Sequence, residues 1–551
     1  MKRRIFYNGK IYTMQVKGQE PWYLPESADE IQIEEAMLVE GERIVSTGSS
    51  RDILKLSDSN TTCTDLGGRC VIPAFNDSHC HILATGLNLT RLNLCGVRSC
   101  EEIIERGRKY ISEMPLKEDE WIVGYGFDQN IFDDPVLPDK KTAEAISAEH
   151  PVFLDRICGH VGAVNQAALN IAGYDECTVV TGGVLDKDDQ GHLNGILREA
   201  ALDKMRRLIS PPSDETLITG LKKIMAQANS YGITSVQTDD LECAGLDCVM
   251  ASYKKLSEEN EMTLRVYEEI QQPRVPQLQA FLKRGLRTGD GDEYFKIGNI
   301  KLLTDGSLGA RTAYMAEDYA DEAGNRGIAV YTQEALNEVV ALAHSSGMQI
   351  AFHAIGDGAV EQAVTAVEQA QRSFPDKRMR HRIVHCQFVN ADILNRMRAA
   401  DICADIQPPF TASDYALAAS RLGDDREKWG YMWRTMVAKQ IPMGGGSDSP
   451  VESMNPLWGI YCAVTRKDRN GEPEGGWHPD EKLTVSQAVA LYTRGSAYME
   501  FAETEKGQLI SGMLADFVVL SDNIFEIPEN QLSEVRVMET YIGGNICYRG
   551  Q

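Results

Sequence analysis

Residues 71–81, with the sequence VIPAFNDSHCH, carry the pattern that decides the fold of this 551-residue chain. An apolar β-type run leads into His79 and His81, which are separated by a single residue. On a strand, residues two apart point to the same face, so both imidazoles lie on one side and Cys80 points to the other. Two neutral imidazoles held ~2 Å from a common centre suit Zn²⁺ or a similar metal. The stretch therefore predicts a metal-binding strand end, with two incidental histidines as the alternative.

Outward from this stretch, β-type runs alternate with helical periodicity along the middle of the chain. Amphipathic patterns typical of helices cover residues 332–345 and 359–373. Hydrophobic, β-branched runs occupy residues 234–238, 296–304, 349–353, 382–389, 403–407 and 441–447. Repeated strand–helix units form a parallel sheet, and polar residues at several strand ends favour a closed barrel. We therefore predict an α/β fold whose main part is a distorted (β/α)₈ TIM barrel.

Further titratable side chains stand at the ends of these runs. Two of the ten histidines belong to these runs: His353 ends the run 349–353, and His385 lies within the run 382–389. Asp448 follows the apolar residues 441–443 through the Gly-rich turn 444–447. The carboxyl ends of barrel strands carry active sites. Each residue alone is more often structural, but the shared position of all of them indicates one functional site.

A lysine makes this set more specific. Lys301 lies inside FKIGNIKLLTDG, residues 295–306, a strand of otherwise buried type. A lone buried ammonium is expensive to desolvate, so a neighbouring group must compensate its charge. One solution is an ion pair with Asp305 or another carboxylate. The other is N6-carboxylation by CO₂, which turns the amine into an anionic metal ligand, and charge alone does not decide between them.

Both ends of the chain differ from the middle. The first ~70 residues read as short strands with turns, including a hairpin at Asn8-Gly9, and residues 515–520 and 535–542 are again β-rich. We expect residues 1–72 and 500–551 to form one composite β-sandwich domain, and residues 73–499 to form the barrel. Residues from about 87 to 198 break the alternation, so we expect an inserted subdomain there, near the active-site mouth.

Composition excludes several other classes of protein. The formal net charge is −25, from 81 acidic and 56 basic residues, which argues against a nucleic-acid partner. The sequence contains no run of ~18 apolar residues, so no membrane span is predicted. The basic start is not followed by the apolar segment of a signal peptide. The 13 cysteines include no Cys-x-x-Cys pair and are typical of free thiols in the cytoplasm.

The order His-x-His, Lys, His, His, Asp along successive strands resembles the amidohydrolase superfamily. KLLTDGSLGARTA, residues 301–313, is similar to a signature of its YtcJ-like branch, which includes N-substituted formamide deformylases. The other similar stretches are CGH at 158–160 with Asn165, HAIGD at 353–357, HCQ at 385–387, GSDSP at 446–450 and GMLAD at 512–516. Ala74 and Asn76 depart from the usual pattern, but neither replaces a ligand.

The resemblance implies a role for each position. His79 and His81 would bind the more buried metal together with Asp448, and Lys301, if carboxylated, would bridge to a second metal. His353 and His385 would hold that second metal, and the family varies between one ion and two. Zinc is the divalent metal we expect. Asp448 would take a proton from the attacking water and deliver it to the leaving amine, with His160, Arg311 and Asp357 as candidate substrate-binding residues.

The implied function is metal-dependent hydrolysis of a C–N bond, most plausibly in an N-substituted amide or formamide. Deamination of a ring amidine uses the same site and is the first alternative. A non-catalytic, small-molecule-binding descendant is a second, although it would be expected to lack one of the six positions. A structural zinc protein would be expected to offer cysteines instead. A small-molecule substrate and a homodimer are the expected partners.

Overall fold

The computed structural model describes residues 2–113, 120–156, 161–180, 183–209 and 211–550. The chain divides into two compact units. The first unit comprises Met1–Ile82 and Met225–Gln551, and the second comprises Leu83–Ile224. None of the helices in the described ranges combines the length and the apolar composition that a bilayer crossing requires.

Eight parallel strands form the central sheet of the first unit, ordered along the chain from one side to the other. They are β1 (Phe75–Cys80), β2 (Ile233–Thr238), β3 (Arg265–Gln271), β4 (Phe295–Leu303), β5 (Ile350–Ala354), β6 (Arg382–His385), β7 (Cys403–Ile406) and β8 (Met443–Gly445). The first and last strands meet at their carboxyl ends, where the Asp448 N–H donates to the His79 carbonyl at 2.8 Å and the His81 N–H to the Ser449 carbonyl at 2.7 Å. This confirms the predicted barrel.

Helices follow most of these strands. The helix Gln333–Ser345 is typical: the Thr332 side chain accepts a hydrogen bond from the Ala335 N–H at its start, and Leu336, Val339 and Val340 are buried along one face. The other α-helices of this unit are Ser50–Leu54, Leu241–Glu258, Val275–Leu282, Asp357–Ser373, Ala391–Ala399, Phe410–Leu422, Trp433–Ala438, Pro456–Thr465, Val485–Ala490 and Ser496–Met499. Strands and helices thus alternate as the periodicity predicts.

The two ends of the chain build two further sheets. The four-stranded sheet has the order Arg43–Gly48, Ala36–Glu40, Arg3–Tyr7, Thr61–Asp65. The six-stranded sheet has the order Asn545–Arg549, Val537–Ile542, Phe517–Leu520, Cys70–Pro73, Lys10–Tyr12, Ile33–Glu34. Phe6 of the first sheet packs edge-on against Phe517 and Tyr541 of the second, with ring centroids 4.9 and 5.1 Å apart. The predicted sandwich built from both termini is confirmed.

The predicted hairpin at Asn8-Gly9 is wrong. Asn8 does adopt the left-handed conformation of a tight turn, with φ 57°. However, Arg3–Tyr7 pairs with Ala36–Glu40 and with Thr61–Asp65, whereas Lys10–Tyr12 pairs with Ile33–Glu34 and with Cys70–Pro73. Each of the two strands is paired on both sides with strands distant in the sequence. The turn at Asn8-Gly9 therefore connects one sheet to the other.

The second unit has a sheet of its own. Six strands have the order Gly183–Lys187, Leu193–Glu199, Val161–Val164, Val152–Arg156, Ile122–Phe127, Leu92–Asn93. Its helices are Cys100–Glu113, Lys140–Ile146, Gln166–Ala172 and Ala200–Arg206, while Ile82–Asn88 and Asp214–Ser230 cross its boundaries. Separate apolar clusters pack on this sheet, one around Phe127 and Leu154 and another around Trp121 and Leu197. The predicted inserted subdomain is therefore present.

Candidate metal centre

Three potential metal ligands meet where the barrel's first strand approaches its last. His79 is the second-to-last residue of β1 and is 1% exposed, His81 directly follows that strand, and Asp448 follows β8. The Nε2 atoms of His79 and His81 lie 3.4 and 3.2 Å from Asp448 Oδ1. Ligand atoms of all three residues lie within 4.8 Å of one another. Asp448 has a φ of 60°, a left-handed conformation at the turn that leaves β8.

Each of the two histidines has an oxygen atom near its Nδ1. His81 Nδ1 lies 2.9 Å from the backbone carbonyl oxygen of Asp239, to which it donates when protonated. His79 Nδ1 lies 3.3 Å from Oε2 of Glu269. When a histidine's Nδ1 holds a proton for such an acceptor, its Nε2 lone pair is left for a metal. Both rings therefore present Nε2 on the side of Asp448.

Lys301 is buried beside this group at 1% exposure. Its Nζ lies 3.1 Å from His79 Nε2 and 3.3 Å from Glu269 Oε2. The carboxylate beside the ammonium is therefore Glu269 of β3, and the suggested pairing with Asp305 is not found. Asp305 faces His353 instead, with Oδ1 3.0 Å from that residue's Nδ1.

His353 and His385 form a second pair next to the first. Their ring centroids are 4.5 Å apart, and His385 lies 5.9 Å from the ring of His79. Asp305 is fixed by the N–H of Gly356, at 2.8 Å, and orients His353 through Nδ1. His385 Nδ1 is buried and has no hydrogen-bond partner among the described residues. The structure thus brings all six predicted ligand positions into one region.

Electrostatics favour the protonation state that a metal ligand needs at Asp448 and His385, but not at His79. Burial alone would raise the pKa of Asp448, but hydrogen bonds from His79 and His81 hold it well below its usual range. Burial and the neighbouring His353 lower the pKa of His385 far below the usual value, so that this ring is neutral. Burial and Lys301 favour neutral His79, yet Glu269 and Asp448 outweigh them and raise its pKa to about 9. Metal binding at His79 would therefore displace a proton.

The donor set fits a divalent metal. Imidazoles and one carboxylate suit Zn²⁺ and similar ions. Two buried atoms at the centre, His385 Nδ1 and Glu269 Oε2, lack a hydrogen bond of good geometry to any described residue. Buried polar atoms are normally satisfied. Buried polar atoms without hydrogen-bond partners, beside clustered imidazoles, fit a site that binds a cation.

The three predicted substrate-binding residues are less well defined as a group than the predicted metal ligands. His160 lies outside the described residues. Arg311 makes two bonds to Asp321, at 3.0 and 2.8 Å. Asp357 begins a helix and accepts from the Ala316 N–H at 2.9 Å, and burial raises its pKa. Both described residues therefore have partners within the protein, and their role toward a substrate stays a prediction.

Two residues at the centre are not among those predicted from the sequence. Glu269 is fully buried in β3, and Arg382, at the start of β6, is fully buried and ion-paired with it. The signal for Glu269 was the pair Glu268-Glu269 within the β-type run RVYEEIQ, residues 265–271. Because neighbouring strand residues point to opposite faces, one of these two carboxylates had to face the barrel interior.

The sequence is similar to known hydrolases over nearly its whole length. The profile of the amidohydrolase family matches residues 62–548. The provisionally named amidohydrolase YtcJ of Bacillus subtilis (strain 168) is 32% identical over 550 residues, covering 99% of each chain. The N-substituted formamide deformylase of Arthrobacter pascens is 21% identical over 546 residues, which are 93% of this chain and 95% of that protein.

A solved structure is similar as well. An uncharacterized metal-dependent hydrolase from Pyrococcus furiosus superposes with a TM-score of 0.77 at 27% identity, covering 95% of this chain and 100% of that one. The relatives and this structure confirm the resemblance that the order of the ligand residues indicates.

Proposed function

Since the chain belongs to the amidohydrolase family, whose enzymes hydrolyse non-peptide carbon–nitrogen bonds, we propose that it cleaves an N-substituted amide or formamide. The observation that supports this is the set formed by buried His79, half-buried His81 and buried Asp448, with ligand atoms within 4.8 Å of one another at the carboxyl end of the barrel. The formamide class follows from the similarity to the deformylase, extended to this chain as part of the proposal.

We assign the metal ligands as the sequence predicts. His79, His81 and Asp448 would hold one divalent ion, and His353 and His385 would hold a second. Lys301 would join them if its ammonium loses two protons and Nζ forms an N–C bond with CO₂, because the resulting carbamate is an anionic oxygen ligand. Zinc is the ion we propose. A divalent metal bound there supplies Lewis-acid polarisation of a carbonyl group and lowers the pKa of water toward neutrality.

Asp448 is the proposed proton shuttle. Its pKa is held well below the usual range, so the carboxylate is ionised and able to accept a proton. In amide hydrolysis it would take one proton from the attacking water and return it to the departing amine nitrogen as the C–N bond breaks. His160, Arg311 and Asp357 remain the proposed contacts to the substrate.

The test is amine release from a panel of N-substituted formamides and simple amides by the full chain reconstituted with Zn²⁺. We expect turnover by wild type and a kcat lowered about 10²–10⁴-fold in Asp448→Asn at equal metal content. Asp425→Asn is the matched control, because its side chain is fully exposed and, among the described residues, is paired with Lys428 alone, at 3.5 Å. Metal-loaded wild type that releases amine from no member of the panel contradicts the proposed substrate class.

A further inference from the structure

Glu269 on β3 has two oxygens in different situations. Its Oε1 is held by two donors, Asn299 Nδ2 at 3.1 Å and a guanidinium nitrogen of Arg382. Its Oε2 lies 3.3 Å from both His79 Nδ1 and Lys301 Nζ, but forms no hydrogen bond of good geometry with a described residue. One half of the carboxylate is therefore fixed to the barrel, and the other half faces two predicted metal ligands.

The fixed half is anchored firmly. Arg382 has no exposed surface, and its guanidinium also lies 3.3 Å from Asp405 Oδ2 and 3.3 Å from the backbone oxygen of Ser78. Asp405 in turn accepts from the Ser78 hydroxyl at 2.6 Å. Ser78 is the residue immediately before His79, so the network joins the support of Glu269 to the strand that carries the histidine.

Such a network is expensive for the fold. Each buried charge costs several kcal/mol to desolvate, and ion pairs often fail to recover that cost. Apolar residues of similar volume would fill the same space at no such penalty. Arg382 and Glu269 both lie in the barrel interior beside the candidate metal centre, where an oriented carboxylate has a use beyond stability.

We propose that Glu269 is a positioning residue for the metal centre. Its Oε2 accepts the proton of His79 Nδ1, which leaves Nε2 of that ring free to face the metal beside Asp448. It also supplies the negative charge opposite Lys301 while that side chain is an uncarboxylated ammonium. The inference rests on the proposed metal site but not on the identity of the substrate. Losing an outer carboxylate of this kind typically lowers metal affinity 10–100-fold.

Glu269→Gln tests the orientation of the hydrogen bond. The two donors at Oε1 fix the carbonyl oxygen of a glutamine in that place, because an amide NH₂ there would face them donor to donor. The NH₂ group then occupies the position of Oε2 and donates toward His79 Nδ1. The ring must respond by carrying its proton on Nε2, where it blocks the metal. The substitution therefore reverses the tautomer with almost no change in volume.

The neighbouring residue offers a matched control. Glu268 is equally buried and lies on the same strand, but points to the opposite face, where Oε1 accepts from the Asp240 N–H at 3.1 Å. Glu268→Gln keeps that acceptor. Glu269→Asp is a second variant, since it retains the charge opposite Lys301 and Arg382 but draws the carboxylate back from His79 by one methylene.

The experiment is a Co²⁺ titration of the metal-stripped full chain, followed through the visible absorption of the bound ion. The melting temperature of each metal-free variant is measured alongside. We expect the Kd for Co²⁺ to rise about 10–100-fold in Glu269→Gln and to stay within about twofold of wild type in Glu268→Gln. Glu269→Asp should fold and should also bind Co²⁺ more weakly than wild type. It therefore serves as the test variant if Glu269→Gln does not fold.

Wild-type affinity in Glu269→Gln or, should that variant not fold, in Glu269→Asp overturns the proposal. So does the loss of one whole ion with unchanged affinity for the other, because Glu269 would then be a ligand. A wild-type chain that binds no Co²⁺ overturns it as well. No substrate enters the titration, so an enzyme that fails the amide panel but shows the Co²⁺ effect refutes the proposed function alone.

Discussion

Two buried regions of the first unit differ in what they bury. The centre of the barrel encloses charged side chains, with Glu269, Arg382 and Lys301 at 0–1% exposure. The core between the terminal sheets encloses aromatic rings, with Phe517 stacked on Tyr541 at a centroid distance of 4.4 Å. Both regions exclude water, yet their chemistry is opposite.

The difference indicates what each region contributes. Apolar burial stabilises a fold by roughly 25 cal/mol per Å², whereas buried ions seldom recover their desolvation cost. The aromatic core therefore raises the free energy of unfolding. The charged centre lowers it but provides the residues of a reactive site. Substitutions in the first region should change unfolding, and substitutions in the second should change metal binding and turnover.

The largest expected effect is that of Asp448→Asn. Removing the proton acceptor should lower kcat about 10²–10⁴-fold. The chain should stay folded and largely loaded with metal, because His79 and His81 remain. Steady-state rates and metal analysis of the same preparation check this. Retained activity would refute the proton-transfer role.

Lys301→Ala should remove the second metal and most of the activity. Short carboxylic acids should restore part of the activity if a carbamate normally bridges the ions. Lys296→Ala is the control, because that lysine lies on the same strand but pairs with Glu505 at 3.1 Å, with partly exposed side chains. Metal content measured per chain decides the matter, and an unchanged content in Lys301→Ala counts against a bridging lysine.

Phe517→Ala should lower the stability of the fold and leave the activity nearly unchanged, the opposite of the two preceding substitutions. Truncating this buried ring should lower the free energy of unfolding by about 3–5 kcal/mol. The activity of the molecules that remain folded should stay within about twofold of wild type. Phe374→Ala, at a ring that is 41% exposed, should change stability by no more than about 0.5 kcal/mol. Denaturant unfolding measures both, and loss of activity without loss of stability would erase the contrast between the two regions.

A smaller effect concerns a buried polar pair outside both regions. His344 Nδ1 and His381 Nε2 lie 2.8 Å apart, and His381 Nδ1 accepts from the Ile350 N–H at 3.0 Å. Burial lowers the pKa of His381 from 6.5 to about 3. Because the folded-state pKa is the lower one, the contribution of this neutral ring is complete above pH 6.5 and is lost as the pH falls toward about 3.

Between pH 6.5 and about pH 5 the expected loss of unfolding free energy is about 2 kcal/mol. Unfolding of wild type and His381→Gln at both pH values measures it as the difference between the two proteins. Glutamine offers an acceptor and a donor but does not titrate in this range. An equal pH effect in both proteins would contradict the assignment.

Much of the fold was predictable because periodicity is a local property. The strand predicted at 382–389 ends earlier, at His385, since His385 and Cys386 have φ of 72° and 48° and turn the chain away. The strand predicted at 441–447 shortens to Met443–Gly445. The hairpin at Asn8-Gly9 failed because the partners of both strands come from distant parts of the chain, which local turn chemistry does not report.

The candidate site was predictable in part, for a similar reason. A histidine or lysine at the end of an apolar run is conspicuous, and those positions stand out in the sequence. Glu269 is not conspicuous in the sequence, because the orientation of β3 in the barrel decides which of the two adjacent glutamates faces the interior. Asp305 was suggested as the partner of Lys301 because it is close in the chain, but it lies past the end of β4 and turns to His353.

We expect the six residues at the barrel centre to bind metal, and the metal content per chain is the most direct measure of this. The full chain is purified without chelators, and the bound ions are measured by mass spectrometry before and after reconstitution with Zn²⁺. We expect one or two equivalents of metal per chain in wild type and a lower content in His79→Ala. A chain that is metal-free as purified and takes up no metal on reconstitution would contradict it.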